Sequence, residues 1–113
     1  MSAGPPAGRD GRATRAVAVV LPAQLRALAG IESAVVVEVS PPVTQRGVLD
    51  ALEGAWPVLS GTLRDPVTRR RRPYIRYFAG GLDLSHADAD AAVPEAVAAG
   101  REPFVVIGAM AGG

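Results

Sequence analysis

Apolar spacing allows this chain one long helix and little other helix. Val48, Leu49, Leu52, Ala55, Trp56 and Leu59 recur at the three, four and seven spacing of a single buried helical face. Thr44, just ahead of them, is the predicted N-cap. Gly47 stands where a capping box would place glutamate, so the start of the helix is less sharply marked than its stripe. Elsewhere the apolar residues fall in short β-branched runs bounded by Pro and Gly, which read as strands. These are residues 16–21, 34–39, 74–78, 82–84 and 104–107. In the second run Val35, Val37 and Val39 alternate against Val36 and Glu38 before Pro41 and Pro42 end it. In the third, alternation puts Ile75 and Tyr77 on one face, and Gly80-Gly81 breaks the strand. Leu25, Leu28 and Ala29 mark a short helical turn closed by Gly30. Asp65-Pro66 marks a turn.

The order is therefore strand, strand, long helix, strand, short strand, strand. A chain of 113 residues buries roughly two thirds of its unfolded surface in one core, so all these apolar faces must share it. The result is a two-layer α+β domain in which a mixed sheet of four to five strands wraps one main helix, a ubiquitin-like β-grasp topology. Periodicity alone leaves a ferredoxin-like sandwich open. Residues 1–15 carry no apolar period and are expected to form a disordered arm, residues 16–108 the domain, and residues 109–113 a flexible tail.

Composition removes several kinds of chemistry. The chain has no cysteine and one histidine, His86. A disulfide framework, a thiolate nucleophile and a zinc–sulfur site are excluded, and no metal is expected. All 12 basic residues are arginine, so no side-chain amine exists for a Schiff base or an isopeptide bond. The net charge of +1 gives no global field for nucleic acid. No run reaches the eighteen or so apolar residues of a membrane span, and residues 16–23 are too short, β-branched and Pro-interrupted for a signal peptide. A cytoplasmic location is expected.

Four segments narrow the reading. VVLPAQLRALAG (19–30), VTQRGVLDALEGAWPVL (43–59), PYIRYFAGGLDLSH (73–86) and PFVVIGAMAGG (103–113) resemble, in order and spacing, successive blocks of the MoaD/ThiS family. That family comprises small β-grasp sulfur carriers that end in a diglycine. The resemblance implies that Gly113, preceded by Gly112, is adenylated at its carboxylate by a partner enzyme that consumes ATP. A persulfide sulfur donor then displaces AMP, and the resulting thiocarboxylate gives its sulfur to an acceptor synthase in molybdopterin-type or related biosynthesis. Such a carrier is a co-substrate and not an enzyme, binds no cofactor of its own, and needs no catalytic side chain.

Elementary chemistry agrees with that role. A terminal carboxylate is ionised at neutral pH and can attack the α-phosphate of ATP when a partner holds both. Glycines let an extended backbone thread a narrow channel without Cβ clashes. Two other readings share the tail: a protein modifier that ends in an isopeptide bond to another chain's lysine, and a β-grasp binding module that never activates it. Phe104, Ile107 and Met110, nearest the tail, are the expected apolar partner contacts. Arg70 and Arg71, within the run 69–72 and near Arg64 and Arg76, are the expected anion-facing contact for an acidic partner surface, a phosphate or RNA, beside the plainer reading of a solvated loop. His86 with Asp83, Ser85, Asp88 and Asp90 reads as a solvated loop and not as a catalytic or calcium-binding group.

Overall fold

The computed structural model describes residues 13–108. Strand β1, Arg15–Val20, buries Val17 and Val19 and turns Ala16 and Ala18 the other way. It begins at Arg15, which the sequence assigned to the arm, and the Arg15 guanidinium meets the Glu95 carboxylate at 3.0 Å. Residues 1–12 of that arm, and the tail 109–113, lie outside the described residues. Helix α1, Ala23–Ala29, follows Pro22 and closes at Gly30. Arg26 Nε then donates to the Leu21 carbonyl and ties the helix back to the strand end.

Strand β2, Val35–Val39, runs antiparallel to β1 with Val17 opposite Val37. The main helix α2 spans Gln45–Ala55, and the Thr44 hydroxyl accepts from the Gly47 N–H at 3.0 Å, as a cap should. Gly47 has a second task. A Cβ there would stand 3.1 Å from Val39 Cγ1, so any other residue would press on β2 and make Val39 give way by a few tenths of an ångström. Val48, Leu49 and Leu52 are buried as expected.

The stripe is nonetheless shorter than its spacing suggested. Pro57 disfavours helical backbone at the residue before it, and Trp56 sits at φ −129°, ψ 80°. The helix therefore stops at Ala55, which is exposed, and Leu59 reaches the core from a separate 3₁₀ turn, Pro57–Leu59.

Strands β3, Ile75–Ala79, and β4, Leu82–Asp83, pair antiparallel. The Ala-Asp stretch after them was expected to be all loop, but it contains a one-turn helix, α3, Glu95–Ala98, which buries Val97 and Ala98. Gly100 follows at φ 80°, where an added Cβ would lie 2.8 Å from the Ala16 carbonyl. Glycine thus allows this connection to press against β1.

The last strand, β5, Phe104–Gly108, inserts between β1 and β3, parallel to the first and antiparallel to the second. The sheet order is β2-β1-β5-β3-β4. This is the ubiquitin-like β-grasp and not the ferredoxin-like sandwich. Tyr77 and Phe104 meet in the core with ring centroids 5.5 Å apart. No helix among the described residues is long and apolar enough to cross a membrane.

Candidate functional site

β5 carries the chain to its tail from the middle of the sheet. Phe104 and Val106 point into the core, whereas Ile107 points outward and is 46% exposed. Phe104 was expected to meet a partner, but it is fully buried against Tyr77, because strand alternation gives odd and even positions opposite faces. Gly108 pairs with Ile75 and is the last described residue. Met110, Gly112 and Gly113 lie beyond it, outside the described residues.

Strand register shows what surrounds Ile107 on the outer face. Ala18 faces Val36 across β1 and β2. Val20 pairs with Val105, Val105 with Phe78, and Ile107 with Arg76. β1, β2 and β5 thus contribute small and branched apolar side chains turned away from the helix, and β3 adds Phe78, with Val36 among the most exposed. Charges border it. The Thr14 hydroxyl donates to Glu38 at 2.6 Å, and Arg76 pairs with Asp83. Asp83 is held well below the usual carboxylate range, first by the Ser85 hydroxyl and N–H and then by Arg76. Sequence reading reached this face at Ile107 and passed over the rest of it. Its signal was present at Val36, an apolar residue in the slot where a half-solvated strand carries a polar one.

The arginine loop is organised inward. Its turn forms at Asp65, whose Oδ1 accepts the N–H groups of Val67 and Thr68, each at 2.8 Å. These bonds hold the Asp65 carboxyl below its ordinary value. Arg64 is 3% exposed; its Nε and Nη2 donate to the two Glu53 oxygens at 3.1 and 2.9 Å, and Nη2 also reaches Asp50 at 2.7 Å. Burial opposes the Arg64 charge, but these hydrogen bonds outweigh it and leave the pKa raised. Arg69 joins the same cluster through Glu53 at 3.2 Å. Arg71, expected to face a partner, instead donates to the carbonyls of Ser85, Arg72 and Ile75, and Arg72 to that of Gly61. Buried carbonyls left by the loop need donors, and these guanidinium groups supply them. Arg70 alone of the run 69–72 has an exposed side chain with no hydrogen bond or ion pair among the described residues.

The residues around His86 form no catalytic group. Ser85 Oγ accepts the Tyr77 N–H at 2.9 Å, Asp83 Oδ1 accepts the Ser85 N–H, and His86 is exposed. Asp90 is more than solvated loop. It pairs with Arg46 at the start of α2, where the Arg46 N–H also donates to Ala89, so the loop is fastened to the main helix. Among the described residues, no three acidic or histidine side chains converge as a metal site would require.

No protein-family model and no curated protein matches the chain. Solved structures do. SAMP1 of Haloferax volcanii, the small archaeal modifier protein 1, superposes with a TM-score of 0.68 at 26% identity, covering 87% of this chain and 99% of that one. CysO of Amycolatopsis orientalis, solved as a BexX/CysO complex, gives 0.65 at 20% identity over 86% of this chain and 99% of the other. SAMP1 of Methanosarcina acetivorans gives 0.67 at 17% identity, covering 90% of this chain and all of that one. The last two likenesses are of fold. Together with the strand order, these structures define a small ubiquitin-like β-grasp protein, of the kind represented by SAMP1 and CysO.

Proposed function

We propose that this chain is a sulfur carrier of the MoaD/ThiS type, whose Gly113 carboxylate is activated by a partner and then loaded with sulfur. The observation that carries the reading is the position of β5. The most enclosed strand of the sheet ends at Gly108 beside an outward apolar face, and the sequence beyond it terminates in Gly112-Gly113. An adenylating enzyme docks on the outer face through Ile107 and its neighbours, while its active site takes the extended tail. Met110 and Arg70 are further contacts, the latter with an acidic partner surface. The carboxylate oxygen attacks the α-phosphate of ATP and pyrophosphate leaves. A persulfide sulfur of the partner then attacks the acyl carbon and AMP leaves; a thiol of the partner attacks the other sulfur of the acyl disulfide so formed, the S–S bond breaks, and the thiocarboxylate departs while the partner keeps a disulfide. The thiocarboxylate serves a sulfur-accepting synthase in the cytoplasm, in molybdopterin-type or related biosynthesis. ATP and the sulfur donor sit on partners, so the carrier is a co-substrate and not a catalyst.

Intact mass spectrometry tests this. With ATP and an activating enzyme of its own genome the protein should gain AMP, and with a persulfide sulfur donor and a thiol added it should show sulfur in place of one oxygen. A mass unchanged by every such enzyme would overturn the proposal.

A second reading, a ubiquitin-like protein modifier, is favoured by the 26% identity to a protein named a modifier. It shares the adenylate and differs in product. Recovery of the chain linked to lysines of other polypeptides, with no free thiocarboxylate, would select it. Removal of Gly113 separates both from a simple binding module, because activation should vanish while plain binding survives.

A further inference from the structure

Between the start of α2 and the arginine loop lies a cavity of about 360 Å³, to which no residue of β5 contributes. Arg46, Arg69, Arg70 and Arg71 line it together with Gln45 and Thr68, and no acidic residue among the described ones does. Two of the four charges have partners. Arg46 pairs with Asp90, and Arg69 belongs with Arg64 to a cluster that Asp50 and Glu53 neutralise. Arg71 bonds only to carbonyls, those of Ser85 at 2.9 Å, Ile75 at 2.7 Å and Arg72 at 3.2 Å, which fix its guanidinium but leave the charge in place. Its Nη2 donates to none of them. The Arg70 side chain has neither a hydrogen bond nor an ion pair among the described residues. Gln45, 8% exposed, spends one amide N–H on the Leu84 carbonyl at 3.0 Å and has a second to give.

We propose that this cavity binds a phosphate group, held chiefly by Arg70 and Arg71. A phosphate monoester carries about −1.5 to −2 charges at neutral pH, which matches the two guanidinium charges that no carboxylate meets. A single carboxylate would neutralise only one of them. Phosphate oxygens only accept hydrogen bonds from such donors, and the guanidinium fork presents its N–H groups in the geometry they take. Arg71 is already fixed by its three carbonyls, so binding costs it little further side-chain freedom. Arg70, exposed and unpaired, closes on the anion from the loop. Small-ligand sites begin at about 300 Å³, so the cavity has room for a phosphate and a small organic body attached to it. The net charge of the whole chain is only +1, so the attraction is local to these side chains.

The site is tested on the free protein, so the outcome does not depend on whether Gly113 is ever adenylated. Inorganic phosphate and glycerol 3-phosphate are titrated separately at constant ionic strength set with chloride, and the arginine side-chain N–H signals are followed by ¹⁵N NMR. The expected result is a saturable shift at Arg70 and Arg71 with at least one of the two, and none with glycerol. Whichever binds more tightly tells a free anion from a phosphorylated small molecule. Arg70→Ala should weaken the binding about tenfold or more, whereas Arg101→Ala, at an exposed arginine outside the cavity, should leave it unchanged. Shifts that never saturate, or saturation undiminished by Arg70→Ala, would overturn the proposal. So would saturation by a glutamate-rich peptide with none by either phosphate, which would assign the cavity to an acidic protein segment.

Discussion

The arginine loop and the outer face around β5 arrange their side chains in opposite senses. Residues 60–74 hold the densest charge of the chain, yet Arg64, Arg69, Arg71 and Arg72 turn it back onto carboxylates and carbonyls of the same molecule. The outer face around β5 holds mostly aliphatic side chains with Phe78 beside them, and Val36 and Ile107 turn outward. A run of like charges near a surface is thus no sign of a binding face until its local partners are counted. A strand whose outward positions are also apolar is the better sign, because nothing in the folded chain requires them to be so.

The contrast breaks most readily at Arg64. Arg64→Met leaves Glu53, whose side chain is only 9% exposed, without its buried partner. Removing one member of such a pair costs about 3–5 kcal/mol, read as a lower urea midpoint and melting temperature. Adding Glu53→Met should recover much of the loss. A single-variant cost under about 1 kcal/mol, in the range of exposed pairs, would show that the cluster is not structural.

Next in size is a pH effect at the seam between the two regions. Tyr77 of β3 aims its hydroxyl at the Leu63 carbonyl, 3.4 Å away, and burial pushes its pKa from near 10 up to about 12. Below pH 10 folded and unfolded chains both keep the proton. Between pH 10 and 12 the unfolded chain loses it first, so stability falls as pH rises, by about 3 kcal/mol across the window. Tyr77→Phe should flatten that slope in denaturation curves taken across these pH values. An unchanged slope would mean that the phenol is more open to water than the packing shows.

The smallest stability effects separate the two regions by role. Arg70→Ala and Ile107→Arg change exposed side chains and should each shift unfolding by no more than about 0.5 kcal/mol. Their effect on adenylation differs. Ile107→Arg puts a charge into the apolar face and should abolish activation, whereas Arg70→Ala should only slow association and make it less sensitive to salt. Equal effects of the two would remove the distinction between loop and face.

How much of this was legible in the sequence depends on the range of the interaction. The α2 stripe and its Thr44 cap are local, and Val48, Leu49 and Leu52 declare themselves by spacing. The inward sets of β2 and β3 follow from alternation in the same way. Helix α3 did not show, because four residues starting after Pro94 are too few to establish a period. The roles of Arg64, Arg71 and Asp90 also escaped. Apart from the adjacent Arg72 carbonyl that Arg71 also meets, each depends on a carbonyl or opposite charge at least four residues away in sequence, most of them more than ten, which only the fold brings near. Phe104 was misplaced for a simpler reason: nearness to the tail along the chain was taken for nearness to the surface, and alternation decides that instead.

The position of β5 also governs how the domain assembles. β1–β2 and β3–β4 are local hairpins with no backbone pairing to each other, and only β5 joins them into one sheet. β3 gains its inner partner when Ala79 meets Phe104, 25 residues on, whereas β1 gains one only when Val19 meets Phe104, 85 residues away. A polypeptide interrupted before Phe104 lacks the strand that joins the two half-sheets. The strand that closes the sheet is thus also the one that runs toward the tail, so a chain that lacks it loses both at once.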